Sequence, residues 1–480
     1  METIYRNKLY AALLLLVSLF IAFTAVAPLA IMKLAGLFVL AIPFVLVILA
    51  KIKLNNQTMT VLIILMVYIN VFNAIAAFKF VPLILDLLLV FVLLKDFVAN
   101  GTKNKIVFYL VLSFLVLSLF QMVNPNVPSL QAGLEGFRKT SFYLILLLLG
   151  LNLKKNQEDR TLFFKRLVLF SIPILLYGIK QQYFYSSFDE VYLQANDADQ
   201  YTGQLFGQVR STSFFAGPFH LGMFSAFIAI ACLYLMSTAV TIKQKSLYTA
   251  ALVVAVLANY SSMTRTNLIA LCLILFIYFT FSNSKRVSIV GKWLFMITAA
   301  GLLGLLLASD DSGVFTPDSG IFNSILHATS DSRFLGRVEG WLNIVQLSMN
   351  QPIMGYGMGS AGDTLGSIYN YGVHVTSHNL LLKFLLETGV FGLLMMLSLI
   401  IYLTVMLSRG AFSKTRSTIQ RNAALLGLCS LILFLLNGMS IASIEAYPIA
   451  GIILFTLGYT LPNQDEKVDT HSNSELQVGR

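Results

Sequence analysis

The sequence contains little charge. Only 11% of its 480 residues are Asp, Glu, Lys or Arg and 57% are hydrophobic, whereas an ordinary soluble domain has about 25% charged residues. The mean hydropathy is +0.79. This composition excludes a typical soluble globular protein and favours a chain that lies largely in lipid.

Cysteine is also scarce. Cys232, Cys272 and Cys429 each lie inside an apolar run, without disulfide or metal-ligand spacing, so we expect them to be small buried hydrophobic residues. The net charge of +11 comes from basic residues dispersed over short loops. Because they do not cluster beside aromatic residues, the sequence predicts no nucleic-acid partner.

Long apolar runs are abundant. A bilayer span takes about 20 mostly apolar residues, and the chain has about fourteen candidates. They predict an all-α fold, a polytopic transmembrane helix bundle of about 12–14 spans. Residues 1–461 would form one membrane domain and 462–480 a disordered cytoplasmic tail. The runs are 11–32, 34–50, 59–77, 81–94, 106–122, 140–153, 167–180, 217–236, 247–260, 267–281, 293–308, 390–406, 423–437 and 447–461.

The first run allows two interpretations. A basic segment precedes it and Ala25-Val26-Ala27 could end a cleaved signal peptide. Pro28 at the cleavage position argues against cleavage, and the run continues toward the length of a span. We therefore expect a retained first helix.

Lysine and arginine alternate between the loops in a way that predicts orientation, because cytoplasmic loops are enriched in both. The alternation places the N-terminus and the tail in the cytoplasm, as in a multi-pass protein of the bacterial cytoplasmic membrane. The cytoplasmic residues would be Lys51, Lys53, Lys95, Lys103, Lys105, Lys154 to Arg166, Lys243, Lys245, Lys285, Arg286, Lys292 and Arg409 to Arg421.

Three loops on the opposite side are long, near 123–139, 181–216 and 309–389. The last is rich in Gly, Asp, Asn and Tyr, and we expect it to be a large extracytoplasmic loop with short helices. Loops of this length usually carry function.

Basic residues on that side go against the topological bias and need another explanation. They are Arg138, Lys139, Arg210, Arg265, Arg333 and Arg337. Snorkelling arginines that bind lipid head groups are one explanation and a functional site is the other. Arg265 lies in a very short loop between two apolar runs, so we expect it to face an anionic partner from a distant part of the chain or from a ligand.

The segment from Phe334 to Met349 has helical periodicity, with an apolar arc of Phe334, Val338, Trp341, Leu342, Val345 and Met349. This pattern predicts an amphipathic helix that lies on the membrane. Arg333 and Arg337 line one edge of the arc beside Trp341. These side chains could bind lipid phosphates or sugars, or could serve only as interfacial anchors.

His378 lies with Ser377 and Asn379 where the long loop meets an apolar segment. A histidine in this position can accept a proton near neutral pH. His374 lies four residues earlier, a spacing that binds zinc on a helix, but no third acidic ligand follows closely.

Glu387 is nine residues past His378 and would face the other way on one helix, so we expect it to pair with Lys383. A carboxylate that orients His378 would come from elsewhere, such as Glu135, Glu339 or Asp363. The glycines of Gly355-Tyr356-Gly357-Met358-Gly359 follow no strand–helix unit, so they predict a close-packed turn and not a nucleotide-binding loop.

The order of these motifs resembles the O-antigen ligase and polymerase family of bacterial polysaccharide assembly. The matching elements are Arg210-Ser-Thr-Ser-Phe-Phe with Gly217-Pro218, Thr264-Arg265-Thr266, Gly336-Arg337 with Trp341, Pro352, the Gly355–Gly359 glycines, His378-Asn379, Glu387 and Gly389. The spacing of His378, Asn379, Gly389 and Gly392 resembles the ligase branch, but related polymerases share it.

The resemblance implies transfer of an oligo- or polysaccharide from a polyprenyl-pyrophosphate carrier to a hydroxyl acceptor, on a glycan or glycolipid, at the outer face of the cytoplasmic membrane. It implies no metal, cofactor or nucleotide sugar. The expected catalytic residues are His378, Arg210, Arg265 and Arg337, and the expected substrate-binding residues are Arg333, Trp341, Asn379 and Arg138.

Three alternatives remain open. One is a polysaccharide polymerase that uses the same chemistry. Another is a polytopic transporter of lipids or small molecules, although the polar residues cluster in loops on one side and no inverted repeat is evident. The third is a non-catalytic partner of an envelope complex.

Overall fold

The computed structural model describes residues 54–74, 81–153, 156–195, 204–205, 208–282, 332–362 and 369–462. The predicted runs 11–32, 34–50 and 293–308, the stretch 309–331 of the long loop and the tail beyond residue 462 lie outside these residues. The regular secondary structure of the described residues is helical, apart from one antiparallel pair of two-residue strands, β1 (Gln204–Leu205) and β2 (Gln208–Val209). The predicted all-α helix bundle is confirmed.

Fifteen α-helices are described in these residues. They are α1 (Asn56–Val67), α2 (Ile69–Ala74), α3 (Val81–Asn100), α4 (Lys105–Gln121), α5 (Leu130–Phe137), α6 (Leu144–Asn152), α7 (Gln157–Tyr183), α8 (Ser187–Ala195), α9 (Pro218–Thr238), α10 (Ile242–Ser261), α11 (Arg265–Phe281), α12 (Ser332–Asn350), α13 (Leu380–Phe412), α14 (Thr418–Gly438) and α15 (Ile449–Thr460). A π-helical turn (Arg138–Phe142) joins α5 to α6, and a 3₁₀ turn (Ser443–Glu445) precedes α15.

Local sequence explains where several helices begin. Asn55, Asn104, Ser129 and Thr241 each precede a helix and accept a hydrogen bond from a first-turn backbone N–H. Ser417 does the same in a reciprocal capping box before α14. These side chains satisfy backbone donors that a helix start otherwise leaves without partners.

Four of the described helices, α7, α9, α13 and α14, are long and apolar enough to cross a membrane by length and composition. Helices α1, α4, α11 and α15 are apolar but shorter. Large apolar side chains such as Leu94, Phe120 and Ile401 remain exposed on the helix surfaces, as lipid contact requires and water does not favour. The chain is an integral membrane protein, while the number of spans and their orientation stay predictions.

The core forms around α9, whose side chains from Leu221 to Leu235 are buried without interruption. Helices α10, α14, α7 and α11 pack around it. Helix α6 lies against α15, where Gly150 and Gly458 bring the two backbones together. A second, much smaller core of Ile344, Tyr356, Ala361 and Leu386 lies between α12 and the start of α13.

Helix α13 begins at Leu380, ten residues before the apolar run 390–406 that predicted it. Gly389 interrupts its regular geometry with φ 67° and ψ −167°. A side chain at this position would overlap the backbone of Ile353, so glycine allows both the kink and the close contact.

Candidate functional site

The polar residues singled out from the sequence gather at one end of the bundle. Here α9, α11 and α13 begin, and α4, α7, α10 and α14 end; we call this the site end. Several buried side-chain polar atoms at this end have no hydrogen-bond partner in the described part of the chain, among them Gln181 Nε2, Asn267 Oδ1, Ser377 Oγ and Asn437 Oδ1. Such atoms are rare in a finished core and common where water or a ligand binds.

His378 occupies a special backbone position at the start of α13. Its φ is 42°, which places a non-glycine residue in the left-handed region. Asn379 follows in an extended conformation and its Oδ1 accepts hydrogen bonds from Leu381 N at 3.0 Å and Leu382 N at 3.2 Å. The Asn379 cap fixes the direction of the chain just before α13. Residues with a strained backbone, such as His378, often occur at functional sites. The oxygen of Asn379 is thus used in the cap, and its role in substrate binding stays a prediction.

Arg337 acts on His378 electrostatically. The pKa of His378 is lowered from its ordinary value of 6.5, first by burial and then by the positive charge of Arg337. Burial and a neighbouring cation both disfavour the protonated imidazole. Both effects favour the neutral imidazole, which can accept a proton on one ring nitrogen.

Of the carboxylates considered for His378, one is engaged elsewhere, one is exposed and one lies outside the described residues. Glu135 accepts a hydrogen bond from the Tyr369 hydroxyl at 2.8 Å. Glu339 is exposed on α12, and Asp363 lies outside the described residues. The charged group that perturbs His378 is a guanidinium and not a carboxylate.

Helix α12 confirms the predicted helix around Trp341. Trp341 lies one turn after Arg337, and its indole N–H is buried without a hydrogen-bond acceptor among the described residues. Arg333 lies in the first turn, but its side chain is outside the described part of the structure. Arg337 thus lies within electrostatic range of His378, and Trp341 is on the same helix.

The predicted apolar arc of α12 is only partly covered by the protein. Leu342, Val345 and Met349 are exposed, with Met349 at 71%, whereas Val338 and Trp341 are half-buried. Ile344 and Ser348 are buried and form the side that faces the protein. The pattern of hydrophobicity alone did not distinguish this protein-facing side.

Arg210 lies in a segment that is firmly attached to two helices. Gln181 Oε1, near the end of α7, accepts hydrogen bonds from Ser211 Oγ at 2.9 Å, Thr212 N at 2.9 Å and Ser213 N at 2.8 Å. Ser211 N donates to the carbonyl of Ser261 at 3.1 Å. These bonds hold the Arg210 segment beside the turn that contains Arg265.

Arg265 is the first residue of α11 and is half-buried. Asn267 Nδ2 donates to Thr264 Oγ1 at 2.9 Å and to the carbonyl of Phe219 at 3.0 Å, which ties the turn to the start of α9. The hydroxyls of Thr266 and Ser440 are 2.7 Å apart. The loop between α14 and α15 therefore lies beside Arg265.

Arg138 has a carboxylate partner of its own. It begins the π-helical turn and forms an ion pair with Asp86 of α3, with 2.6 Å between Nε and Oδ2. Its side chain is 43% exposed. The sequence did not reveal this carboxylate partner, and its role in substrate binding stays a prediction.

A buried ion cluster lies one turn into α13. Lys383 Nζ contacts Glu387 Oε1 at 2.7 Å and Glu445 Oε1 at 2.5 Å, and the Lys383 and Glu387 side chains are fully buried. Glu387 Oε2 accepts from Thr140 Oγ1 at 2.9 Å, and its Oε1 accepts from Gly359 N at 3.0 Å. The predicted pairing of Lys383 with Glu387 is confirmed.

The sequence patterns did not single out Glu445 as a member of this cluster. It is an acidic residue in the short connection between the runs 423–437 and 447–461. The criterion that isolated Arg265, an ionic group between two apolar runs, also selects Glu445 when it is applied to acids.

The predicted glycine turn is confirmed at Gly355–Gly359. Gly355, Gly357 and Gly359 have φ values of +71°, +87° and +89°, a region that other residues rarely adopt. Tyr356 N donates to the carbonyl of Leu386 at 2.8 Å, and Gly357 N to that of Glu387 at 3.0 Å. The turn therefore packs directly on the kinked start of α13.

His374 does not share a helix with His378. Both precede α13 in an irregular loop, so the four-residue helical spacing on which the zinc hypothesis depended does not apply there. His374 Nε2 lies 2.6 Å from the carbonyl of Gly362 and donates to it. Metal coordination through this nitrogen would require that hydrogen bond to break.

Comparison with known proteins gives a family match. Residues 250–397 match the O-antigen ligase family, and this region contains Arg265, Arg337, Trp341, His378 and Asn379. No curated protein matches the chain. The family match confirms the resemblance found in the sequence for residues 250–397, which are similar to the O-antigen ligase family.

Proposed function

We propose that the protein transfers an oligo- or polysaccharide from a polyprenyl-pyrophosphate carrier to a hydroxyl acceptor at the outer face of the bacterial cytoplasmic membrane. The supporting observation is that Arg337 and His378, whose pKa the Arg337 charge lowers, both lie in the region that matches the O-antigen ligase family. In this proposal the site end faces outward and both termini lie in the cytoplasm.

The reaction exchanges one bond to the donor sugar for another. The acceptor hydroxyl oxygen attacks the anomeric carbon, and the bond from that carbon to the pyrophosphate oxygen breaks. The electron pair leaves with the polyprenyl pyrophosphate, and the hydroxyl proton passes to the imidazole of His378. A neutral imidazole suits this role because it accepts the proton as the new bond forms.

The arginines stabilise the leaving group. Polyprenyl pyrophosphate develops negative charge as the bond breaks, and guanidinium groups bind phosphate oxygens in pairs while remaining protonated. Arg210 and Arg265 come from segments joined by the bond from Ser211 N to the Ser261 carbonyl. Arg337 acts from the other side of the site, beside His378. In this arrangement Arg333, Trp341, Asn379 and Arg138 contact the glycan or the lipid phosphates.

The proposal is tested by glycan transfer from a purified lipid-linked donor. His378→Ala should lower the transfer rate by about 10²–10⁴, the usual contribution of general-base assistance. His374→Ala is the matched control from the same loop and should stay within a few-fold of wild type. Transfer by His378→Ala at nearly the wild-type rate would remove the base assignment.

The same assay separates the alternatives. A ligase variant should accumulate finished polymer on the carrier, and a polymerase variant should accumulate single repeat units. Inhibition of the wild-type protein by a chelator would support metal binding at His374 and His378. Movement of the donor across the membrane without bond formation would indicate a transporter instead.

A further inference from the structure

We propose that Glu387 is a positioning residue, which anchors the Gly355–Gly359 turn to α13 and thereby holds α12, which carries Arg337, against the start of α13 next to His378. This inference rests on the proposed function for its catalytic meaning. It is carried by hydrogen bonds that connect Glu387 to α12 through the turn.

The first step is the attachment of the turn. The carboxylate of Glu387 accepts from Gly359 N at 3.0 Å, and its backbone carbonyl accepts from Gly357 N at 3.0 Å. The same carboxylate accepts from Thr140 Oγ1 at 2.9 Å. Gly136, in α5, lies so close that a Cβ there would be 2.6 Å from Gly359 N. One buried side chain thus joins α13, the turn and the π-helical segment.

The second step leads from the turn to α12. The Tyr356 hydroxyl donates to the carbonyl of Leu347 at 3.2 Å. Tyr356 and Ile344 also belong to the small core between α12 and α13, with Ala361 and Leu386. Because this core is small, the position of α12, and of Arg337 on it, depends strongly on the turn.

The third step concerns the other half of the site. Lys383 joins Glu387 to Glu445 in the loop between α14 and α15. The same loop contacts the Arg265 turn through Ser440 and Thr266. The ion cluster therefore lies between the segment with Arg265 and the segment with Arg337 and His378.

The charges of the ion cluster determine which variants of Glu387 can be compared with each other. Lys383 contributes one positive charge, while Glu387 and Glu445 contribute two negative ones. Glu387→Gln and Glu387→Met both remove one negative charge and leave Lys383 paired with Glu445. They differ because the glutamine oxygen can still accept from Gly359 N while its NH2 group, at the position of Oε2, donates to Thr140 Oγ1, whereas methionine makes neither hydrogen bond. A difference between these two variants therefore reports the effect of the hydrogen bonds at constant charge.

The readout is the pKa of His378, which a merely stabilising role would not move. From α12 the charged group that acts on it is Arg337. On α13, Lys383 and Glu387 form an ion pair with each other, and Glu135 of α5 accepts from Tyr369. If Arg337 moves away, the pKa of His378 should rise toward 6.5.

The experiment measures that pKa without requiring glycan transfer. Diethyl pyrocarbonate reacts with neutral imidazole, so the pH dependence of modification of the His378 peptide, followed by mass spectrometry, reports its pKa. His374 provides an internal reference. Glycan transfer is measured on the same preparations.

We expect Glu387→Met to raise the His378 pKa and to lower kcat by about 10- to 100-fold, the usual cost of a small misplacement of catalytic groups. Glu387→Gln should change both much less. If the two variants have the same His378 pKa, the inference is overturned.

Tyr356→Phe is the milder variant if Glu387→Met does not fold. It removes only the hydrogen bond to Leu347, and we expect a smaller rise in the His378 pKa; an unchanged value would overturn the inference. The two proposals can fail separately. If the variants shift the His378 pKa but the wild-type protein transfers no glycan, the positioning role of Glu387 stands and the proposed function is rejected.

Discussion

Thr140 donates its hydroxyl hydrogen to Glu387 at 2.9 Å, across 247 residues of sequence. This contact joins the π-helical turn that follows α5 to the kinked start of α13. The same carboxylate also contacts Lys383, so a single buried group links the first half of the chain to the region that matches the O-antigen ligase family.

Loss of Lys383 should destabilise the protein severely. Lys383→Met leaves the carboxylates of Glu387 and Glu445 buried without their shared cation. Removal of one member of a buried ion pair costs about 3–5 kcal/mol, and we expect a loss of this size in unfolding measurements in detergent.

Two controls give this prediction its meaning. Lys243→Met, at an exposed position, should change stability by less than about 0.5 kcal/mol. The neutral triple variant Lys383→Met, Glu387→Gln and Glu445→Gln should recover most of the loss, because it removes all three charges together. A Lys383→Met protein as stable as wild type would contradict the buried ion cluster.

Glycan transfer should persist into mildly acidic conditions. The base must be neutral, so activity is lost as the pH falls through the pKa of His378. Burial and Arg337 lower that pKa below 6.5, and the acidic limb of kcat/KM against pH should therefore have its midpoint below 6.5. A midpoint at or above the ordinary histidine value would mean that another group titrates.

Arg265→Lys should preserve the fold and impair transfer. Lysine keeps the positive charge but lacks the planar fork that binds two phosphate oxygens. We expect a fall of about 10²-fold in kcat, as for other losses of transition-state stabilisation.

Arg409→Lys is the matched control, because Arg409 is exposed in the last turn of α13. It should transfer glycan at the wild-type rate. Equal activity of the Arg265→Lys and Arg409→Lys proteins would leave Arg265 as an interfacial anchor.

Gly389→Ala should destabilise the kink in α13. The backbone at φ 67° and ψ −167° is a conformation that residues with a Cβ rarely adopt, at a cost of about 1–3 kcal/mol, and the added methyl group would also overlap the carbonyl of Ile353. Gly340→Ala is the control, since it lies within α12 with open space around it. That substitution should be neutral or stabilise by up to about 1 kcal/mol. Similar melting temperatures for the two variants would argue against the kink.

The predicted orientation is tested with a cysteine at Ser319, in the long loop and outside the described residues. It should react with an impermeant thiol reagent in intact cells, because the distribution of Lys and Arg places the loop 309–389 outside the cytoplasm. The native Cys232 and Cys429 are buried, so they should give little background. Labelling that requires cell lysis would reverse the topology.

Sequence patterns predicted the features that depend on near neighbours. Apolar runs identified the helices, and the four-residue spacing of Lys383 and Glu387 identified their ion pair. The glycines at 355, 357 and 359 predicted a turn because their conformational freedom is a local property.

Contacts between distant segments were not predictable in the same way. Nothing in the sequence couples Arg138 to Asp86 or Glu445 to Lys383, because these pairs form only when helices pack. The buried face of α12 was also missed. Part of its apolar arc, at Leu342, Val345 and Met349, is exposed, and the polar residue Ser348 lies on the protein-facing side with Ile344.

The spacing of Lys383 and Glu387 also affects how the chain enters the membrane during synthesis. A lysine inside an inserting helix is unfavourable on biological insertion scales, but here its first counterion is in the next turn of the same helix. Lys383 can therefore enter the translocon as part of a neutral pair, before α15 has left the ribosome. Glu445 is synthesised later and reaches Lys383 only when the last helical hairpin docks, so assembly of the ion cluster marks the completion of the bundle.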